Sequence, residues 1–236
     1  MSALVCLTYD DALPVHCEVV APLLAERGLR GTFYIPAARD DLHEHLADWR
    51  RVAEMGHELG NHSCFHPCRT RADWDWKPPY RLEAYTRARL HDELQLANRI
   101  LQLVDGRSQR SYGATCSDLT CGPGQGRSFV EDIQDLFSVV RSGGSERPLS
   151  GNMPFISPAL WIDHRRADDI ISVLSSMHES TDAWIILGMH GVGTGTHHNF
   201  IEMKEHQLLI DWIAAQSEWL KAATISDAAA LRSCGL

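Results

Sequence analysis

The sequence predicts an α/β fold of one domain in which parallel strands alternate with crossover helices. Short apolar runs alternate with longer amphipathic segments along the chain, which is the pattern of a parallel sheet. The length of 236 residues is ordinary for a single α/β barrel. No internal repeat or low-complexity linker divides the sequence. We therefore expect residues 1–236 to form a single unit.

The strands are predicted from short apolar runs that end at polar or turn-forming residues. The run before Asp10 and the run Trp184-Ile185-Ile186-Leu187 show this pattern, whereas a region rich in Gly, Ser and Pro at 108–158 interrupts it. In chain order, we predict strands at 3–9, 31–35, 57–61, 111–114, 136–141, 184–189 and 223–225.

The helices are predicted from apolar residues at helical spacing and from the residues that bound them. The first helix places Val20 and Leu24 on one side and stops at Gly28. The polar pair Ser226-Asp227 is predicted to cap a short terminal helix. In chain order, we predict the helices before this terminal one at 14–27, 46–55, 82–103, 166–179 and 204–220.

Charge and hydropathy exclude two classes of partner. The formal charge is −9 and the sequence contains no cluster of Lys and Arg. Both observations argue against binding to nucleic acid. No apolar run approaches the roughly 18 residues that a membrane span needs. The first residues carry no basic segment and no small-residue cleavage site, so we expect a cytoplasmic protein. A secreted chain whose leader had been trimmed would look the same. The sequence makes no prediction about oligomeric state.

The seven cysteines are scattered along the chain. A chain of this size needs no disulfide framework, so mostly reduced thiols are expected. A bridge between Cys68 and a cysteine of the loop 116–121 is left open.

Two motifs carry groups that bind metals. Asp10 and Asp11 close the first strand, and His62 and His66 are spaced by one helical turn. Two imidazoles and one carboxylate make three ligands, and a catalytic metal keeps a further position for water. The second carboxylate is then a candidate base. Taken alone, the pair of aspartates could equally be a turn or a helix cap.

A closed structural zinc site is the competing interpretation of the second motif. It would use Cys64 and Cys68 as additional ligands and would have no water to activate. Cys64 lies between the two histidines, so its side chain is expected to point away from a metal that they share.

The predicted sites converge because each follows a strand. Asp10 and Asp11 end the first strand, His62 ends the third, and His190 follows the strand at 184–189. The carboxyl ends of parallel strands gather on one face of the fold, where active sites are built.

Four segments together resemble the polysaccharide deacetylase (NodB-homology) family, which is carbohydrate esterase family four in the broad sense. The likeness spans about residues 4–230. Its motifs are LTYDDA at 7–12, GTFYI at 31–35, GHELGNHSCFHP at 56–67 and ILGMHG at 186–191.

The resemblance implies a distorted (β/α) barrel with about seven parallel strands. It also implies that Asp11, His62 and His66 are the metal ligands, that Asp10 is the general base and that His190 is the general acid. The expected reaction is hydrolysis of an acetyl group from an N- or O-acetylated carbohydrate by a metal-activated water. One divalent ion is expected, with zinc first and cobalt, nickel or manganese as alternatives.

The sequence departs from the family in its third motif, an arginine followed by proline and an aromatic. The stretch here is Arg110-Ser111-Tyr112-Gly113-Ala114, without the proline. In the family this loop supplies an arginine that orients the base. Both Arg110 and Arg141 are candidates for that role, and Tyr112 is a candidate substrate contact. Ala12 also replaces a glycine that normally eases the turn after the aspartates.

The remaining candidates for substrate contact surround the expected barrel mouth. Trp74 and Trp76 follow the metal loop and could stack on sugar rings or pack the loop onto the barrel. His197 and His198 lie in a glycine-rich loop that lacks the lysine of a phosphate-binding loop. Trp161 is expected to be a core or lid residue.

Two other functions compete with acetyl hydrolysis. The altered third motif keeps open a hydrolase of small cyclic amides or imides from the same superfamily. A catalytically silent protein that binds a metal or a glycan is the third possibility.

Overall fold

Seven parallel strands close into a barrel in the computed structural model, which describes residues 2–72 and 76–233. Neighbours in the chain are neighbours in the sheet, and the last strand returns to pair with the first along Leu4↔Trp184 to Tyr9↔Met189. The strands are β1 (Ala3–Tyr9), β2 (Gly31–Ile35), β3 (Glu58–Asn61), β4 (Tyr112–Gly113), β5 (Val140–Gly143), β6 (Ile156–Trp161) and β7 (Ala183–Met189). This architecture confirms the predicted α/β barrel.

Helices cover the outside of the barrel. Apolar residues from them, such as Leu24, Leu101 and Ile210, pack on the outward residues of the strands in one large core. The helices are α1 (Ala21–Glu26), α2 (Leu46–Glu54), α3 (Arg87–Asp105), α4 (Ala167–Ser175), α5 (Met203–Ala215) and α6 (Ile225–Ser233). A π-helical turn, His16–Val20, leads into α1. Among the described residues, no helix is long and apolar enough to cross a membrane.

Shorter strands add to the ends of the barrel strands. Leu220–Ala222 pairs with the start of β1, and Leu149–Ser150 runs antiparallel to the start of β7. Two short strand pairs form in the loops. Gly191–Val192 runs parallel to Phe200–Ile201, and Thr120–Cys121 runs antiparallel to Arg127–Ser128.

One barrel strand was not predicted, and several predicted boundaries are wrong. Strand β6 was not predicted, because Pro158 interrupts its apolar run. The strand expected at 136–141 is β5, and the strand expected at 223–225 is Leu220–Ala222. Helix α3 begins five residues later than predicted, because the Thr86 side chain accepts a hydrogen bond from the Arg89 amide at 3.1 Å and caps it.

The cap of the terminal helix also differs from the prediction. The hydroxyl of Thr224 accepts a hydrogen bond from the amide of Asp227 at 3.2 Å. Thr224 is therefore the capping residue, and Ser226-Asp227 lies inside the first turn of α6.

The alternation of side chains along the strands decides which residues enter the barrel. In β1, the odd positions such as Val5 and Leu7 belong to the outer core, whereas Leu4 and Cys6 belong to a separate inner cluster. Side chains alternate across a strand, so Asp10 is the next inward position at the end of β1. The same argument places His190 inward after β7, since Trp184 and Ile186 belong to the inner cluster.

Helix α6 closes the opposite end of the barrel. Its apolar residues Ile225 and Ala228 pack in the inner cluster. The buried carboxylate of Glu58, at the start of β3, accepts hydrogen bonds from the amide and the hydroxyl of Ser226 at 3.0 and 2.7 Å. The barrel is therefore filled at the amino ends of its strands and can hold a cavity only at their carboxyl ends.

Candidate active site

The two aspartates share one cavity because the backbone turns sharply between them. Strand β1 ends at Tyr9, and the buried Asp10 donates its amide to the carbonyl of Met189 at 2.9 Å. Asp11 and Ala12 have φ values of 75° and 49°, in the left-handed region that side chains with a β-carbon disfavour. Strained backbone of this kind concentrates at functional sites. In an extended strand, the two carboxylates would face opposite sides.

His62 and His66 meet Asp11 through a loop. Their rings pack edge to face with centroids 4.7 Å apart. Oδ1 of Asp11 lies 3.5 Å from Nε2 of His62 and 3.2 Å from Nε2 of His66. Ligands bound to one tetrahedral ion at about 2.0–2.1 Å lie roughly 3.3–3.4 Å from each other. The predicted spacing thus brings the imidazoles together, but positive φ at Ser63 and His66 shows that the turn is not helical.

The hydrogen bonding of His62 leaves its Nε2 available to a metal. Its Nδ1 lies 2.7 Å from the carbonyl oxygen of Gly113. Because a carbonyl oxygen only accepts hydrogen bonds, Nδ1 carries the proton and Nε2 carries the lone pair. Such an outer hydrogen bond is usual for histidines that bind metals. Within the described parts of the chain, no fourth donor joins Asp11, His62 and His66. The donor set fits a divalent cation with a free coordination position.

Arg141 holds the carboxylate of Asp10. Its Nη2 lies 2.7 Å from both carboxylate oxygens. The fully buried guanidinium lies between the rings of Tyr34 and Trp161, 4.7 and 4.9 Å from their centroids. Gly113 leaves the necessary space, since a β-carbon there would lie 2.6 Å from Nη2 of Arg141.

Arg141 also keeps Asp10 charged. Burial by itself raises the pKa of Asp10, but Arg141, with His62 and His190, more than offsets this and holds that pKa below its ordinary value. Asp10 is therefore an anionic acceptor at neutral pH.

Arg110 has a different role from the one that the sequence suggested. Its guanidinium donates to the buried carboxylate of Asp105 at 3.1 and 3.2 Å and to the carbonyl of Leu59 at 2.6 Å. It precedes β4 and ties the end of α3 to the sheet. The prediction that Arg110 orients Asp10 is wrong, because Arg110 pairs with Asp105, whereas Arg141 projects from β5 into the barrel beside Asp10.

His190 is fixed by Asp163, which the sequence analysis did not single out. Oδ2 of Asp163 lies 2.7 Å from Nδ1 of His190, and its Oδ1 accepts the His190 amide at 3.0 Å. The His190 ring is stacked between Trp161 and His197, with centroids 5.2 and 5.1 Å away. Asp163 lies two residues after the end of β6. A polar residue near a strand end could have marked it, but that strand was not predicted.

The surroundings of His190 favour its protonated form. Burial lowers the pKa of His190, but the hydrogen bond that its ring donates to Asp163 and the charges of Asp10, Asp163 and Asp11 outweigh burial and raise it. His190 lines the same cavity as Asp10, so its imidazole can offer a proton there.

His16 links the turn after Asp11 to the segment at His190 through their backbones. It accepts the amide of Leu13 at Nδ1 (3.2 Å), so its Nε2 carries the proton and donates to the carbonyl of His190 at 2.8 Å. Burial lowers the pKa of His16 to about 4. The ring is therefore neutral and keeps the turn after Asp11 in register with His190. No motif in the sequence marked this residue.

One cavity of about 730 Å³ is lined by the three metal donors and by Asp10, Asp163 and His190. It is also lined by three of the predicted substrate contacts, Trp76, His197 and His198. Tyr112 is not among its walls: the side chain is buried and stacks on Phe137 with centroids 5.2 Å apart. The prediction that Tyr112 contacts substrate is therefore wrong. Trp74 lies outside the described residues.

The cysteines do not form a closed zinc site with the two histidines. Cys64 is buried and directs its thiol to the carbonyl of Glu93 at 3.5 Å. Cys68 forms a disulfide with Cys116, which is one of the bridges that the sequence left open. The other described cysteines are free and buried.

Comparisons with known proteins agree with this architecture. The family model described as polysaccharide deacetylase matches residues 2–119. No curated protein matches the chain. Similar solved structures include a family 4 acetyl xylan esterase from Clostridium thermocellum in complex with a cobalt ion. It is 18% identical with a TM-score of 0.59, over 97% of this chain and 91% of that chain.

Two other similar structures differ in what their names say of activity. A peptidoglycan deacetylase from Bacillus subtilis is 14% identical with a TM-score of 0.57, over 98% of this chain and 92% of that chain. A CE4 family pseudoenzyme from Bacillus anthracis is 15% identical with a TM-score of 0.56, over 96% of this chain and 65% of that chain. At these identities, the likeness shows the shared fold.

Proposed function

The chain belongs to the polysaccharide deacetylase family, and from this premise we propose that it is a metal-dependent hydrolase of acetylated carbohydrates. The bond cleaved is an N- or O-acetyl linkage. The observation that carries the proposal is the convergence of three metal donors, the Asp10 carboxylate and the His190 imidazole on one cavity. The same cavity argues against a catalytically silent protein, because it contains every group that the hydrolysis needs.

The metal would be held by Asp11, His62 and His66. Two imidazoles and a carboxylate suit zinc, and cobalt, nickel and manganese use similar ligands. A divalent ion bound there supplies Lewis acidity and makes water a stronger nucleophile near neutral pH.

The protein groups divide the proton transfers between them. Asp10, held by Arg141, accepts the proton of the attacking water as a general base. His190, held by Asp163, donates a proton to the departing amine or alcohol as a general acid. The pKa of Asp10 is lowered and that of His190 is raised, because a guanidinium faces the first and a carboxylate faces the second. Such separation of pKa values lets one site perform acid and base chemistry together.

Aromatic rings around the cavity suit a sugar. Trp76 lies over His66, with centroids 5.4 Å apart, and its ring could stack on a pyranose. A second cavity of about 460 Å³ shares Asp11, His66 and Trp76 with the first. Two adjoining cavities are consistent with a substrate of more than one sugar unit.

The proposal is tested by measuring acetate release. Protein loaded with Zn²⁺ or Co²⁺ should release acetate from N-acetylated chitooligosaccharides or from acetylated xylan. Activity should disappear after dialysis against a chelator and return when the metal is added back. Ring opening of hydantoins or cyclic imides without acetate release would instead favour the amide hydrolase. Metal binding without turnover of either class would favour the silent protein.

Asp163→Asn should shift the pH dependence of the reaction. His190 must be protonated to act as an acid, so activity falls as pH rises through its pKa. Because the Asp163 carboxylate raises that pKa, its loss should move the alkaline limb of the kcat/KM profile to lower pH. The matched control is Asp168→Asn, since Asp168 is exposed on α4 and pairs with the exposed Arg166 at 3.7 Å. An unchanged alkaline limb would show that Asp163 does not set the charge of His190.

A further inference from the structure

We propose that reduction of the Cys68–Cys116 disulfide creates a second metal site, formed by His66, Cys68 and Cys116. The site would bind a thiophilic divalent cation such as Zn²⁺ or Cd²⁺, since thiolates select soft or borderline ions. In the oxidised protein these sulfur atoms are bonded to each other and cannot act as thiolate ligands. The site itself does not depend on the deacetylase function.

The three donors lie close enough together to share one ion once the sulfur–sulfur bond is broken. Sγ of Cys68 lies 3.5 Å from Nδ1 of His66. For a tetrahedral zinc ion, bonds of about 2.0 Å to nitrogen and 2.3 Å to sulfur place these atoms roughly 3.5 Å apart. The Cα atoms of Cys68 and Cys116 are 5.9 Å apart. Both thiolates can therefore reach the same ion after small side-chain rotations, and the fourth position is left to water.

Other contacts keep the donors together when the disulfide is broken. The hydroxyl of Thr115, which precedes Cys116, donates to the carbonyl of Pro67, which precedes Cys68. This hydrogen bond joins the two loops beside the disulfide. Asp118 accepts the amide of Arg69 at 2.9 Å across the same two loops. The amide of Cys68 also donates to the carbonyl of Tyr80 at 3.2 Å. Reduction thus frees the sulfurs without separating the loops that carry them.

The cavity gives a reductant access to the bridge. Cys116 lines the cavity, whereas Cys68 is fully buried. One thiolate of a dithiol attacks Sγ of Cys116 and forms a mixed disulfide, and Cys68 leaves as a thiolate that takes up a proton. The second thiol of the reductant then closes its own disulfide and releases Cys116. Two electrons pass from the dithiol to the bridge, and the metal later displaces the two thiol protons.

The second site competes with the proposed catalytic site for His66, and this consequence rests on the proposed function. Asp11 and His62 face Nε2 of His66, whereas Cys68 faces its Nδ1. A neutral imidazole has one lone pair, so it binds one ion at a time. Under reducing conditions, a thiophilic cation would therefore draw His66 away from the other two ligands.

The test uses the absorption of Co²⁺, because thiolate ligands produce an intense charge-transfer band in the near ultraviolet that oxygen and nitrogen ligands lack. The full chain is titrated with Co²⁺ before and after treatment with dithiothreitol and removal of the reductant. The band should appear only in the reduced protein. Cys68→Ser and Cys116→Ser should each weaken it strongly, whereas Cys121→Ala, which changes a free and buried cysteine, should leave it intact.

A second measurement does not depend on the stability of the variants. Reduced protein is treated with iodoacetamide with and without Cd²⁺, and the modified cysteines are identified by mass spectrometry. Cd²⁺ should protect Cys68 and Cys116 from alkylation. Absence of both the band and the protection would overturn the proposal, as would a band that persists in both serine variants. Loss of acetate release would leave these readouts unchanged, so the two proposals fail separately.

Discussion

Asp10→Asn should lower kcat for acetate release by about 10²–10⁴-fold, the usual contribution of a general base. The amide keeps the size of the side chain but cannot accept the proton of the attacking water. The metal donors Asp11, His62 and His66 are unchanged, so the metal content should stay the same. Steady-state kinetics on the metal-loaded variant, with the metal measured by elemental analysis, would test this.

The control for Asp10→Asn separates the loss of a base from a general loss of charge. Asp168→Asn removes an exposed carboxylate that is not among the residues lining the cavity and should leave kcat unchanged. If Asp10→Asn retained activity within a few-fold of the parent, Asp10 could not be the base, and the proposed division of roles would fail.

Arg141→Met should destabilise the protein by about 3–5 kcal/mol, because it leaves the buried carboxylate of Asp10 without its partner. Methionine fills a similar volume, so the effect is mainly electrostatic. Within the described residues, Nε and Nη1 of Arg141 find no hydrogen-bond partner, and Asp10 is therefore the group that compensates its charge. The free energy of unfolding in urea at neutral pH measures the loss.

A double-mutant cycle identifies the cause of that loss. Asp10→Asn combined with Arg141→Met removes both charges and should recover much of the stability without recovering activity. Arg27→Met is the matched control, since the Arg27–Asp211 pair is partly exposed and is expected to contribute about 0–1 kcal/mol. Additive losses in the double variant would show that Asp10 and Arg141 do not stabilise each other.

The pH dependence of this stabilisation has a definite sign. The folded protein holds the pKa of Asp10 below its ordinary value. The contribution of the pair is therefore present above the ordinary carboxyl pKa and is lost as the pH falls through the lowered one. In Arg141→Met, burial raises the pKa of Asp10 with no guanidinium to offset it. Protonation then removes the unpaired charge, so the loss of stability relative to the parent should be largest at neutral pH and should shrink as the pH falls.

The sequence by itself determined the features that depend on short segments. Apolar runs and the polar residues that end them predicted six of the seven barrel strands. The alternation of side chains along β1 and β7 directs Asp10 and His190 into the barrel. The spacing of His62 and His66 was sufficient to bring two imidazoles together, even though the turn between them is not helical. These features are local, since each depends on residues within a few positions of one another.

Only the tertiary structure decided which distant residues became partners. Arg110 and Arg141 are both arginines near predicted strands, but strand register and barrel closure place Arg141 against Asp10 and leave Arg110 with Asp105. Asp163 meets His190 because β6 and β7 are adjacent in the sheet. The pairing of Cys68 with Cys116 likewise depends on the approach of two loops that are 48 residues apart in the chain. A pattern within one segment cannot specify such contacts, because the closed sheet and its packed loops set them jointly.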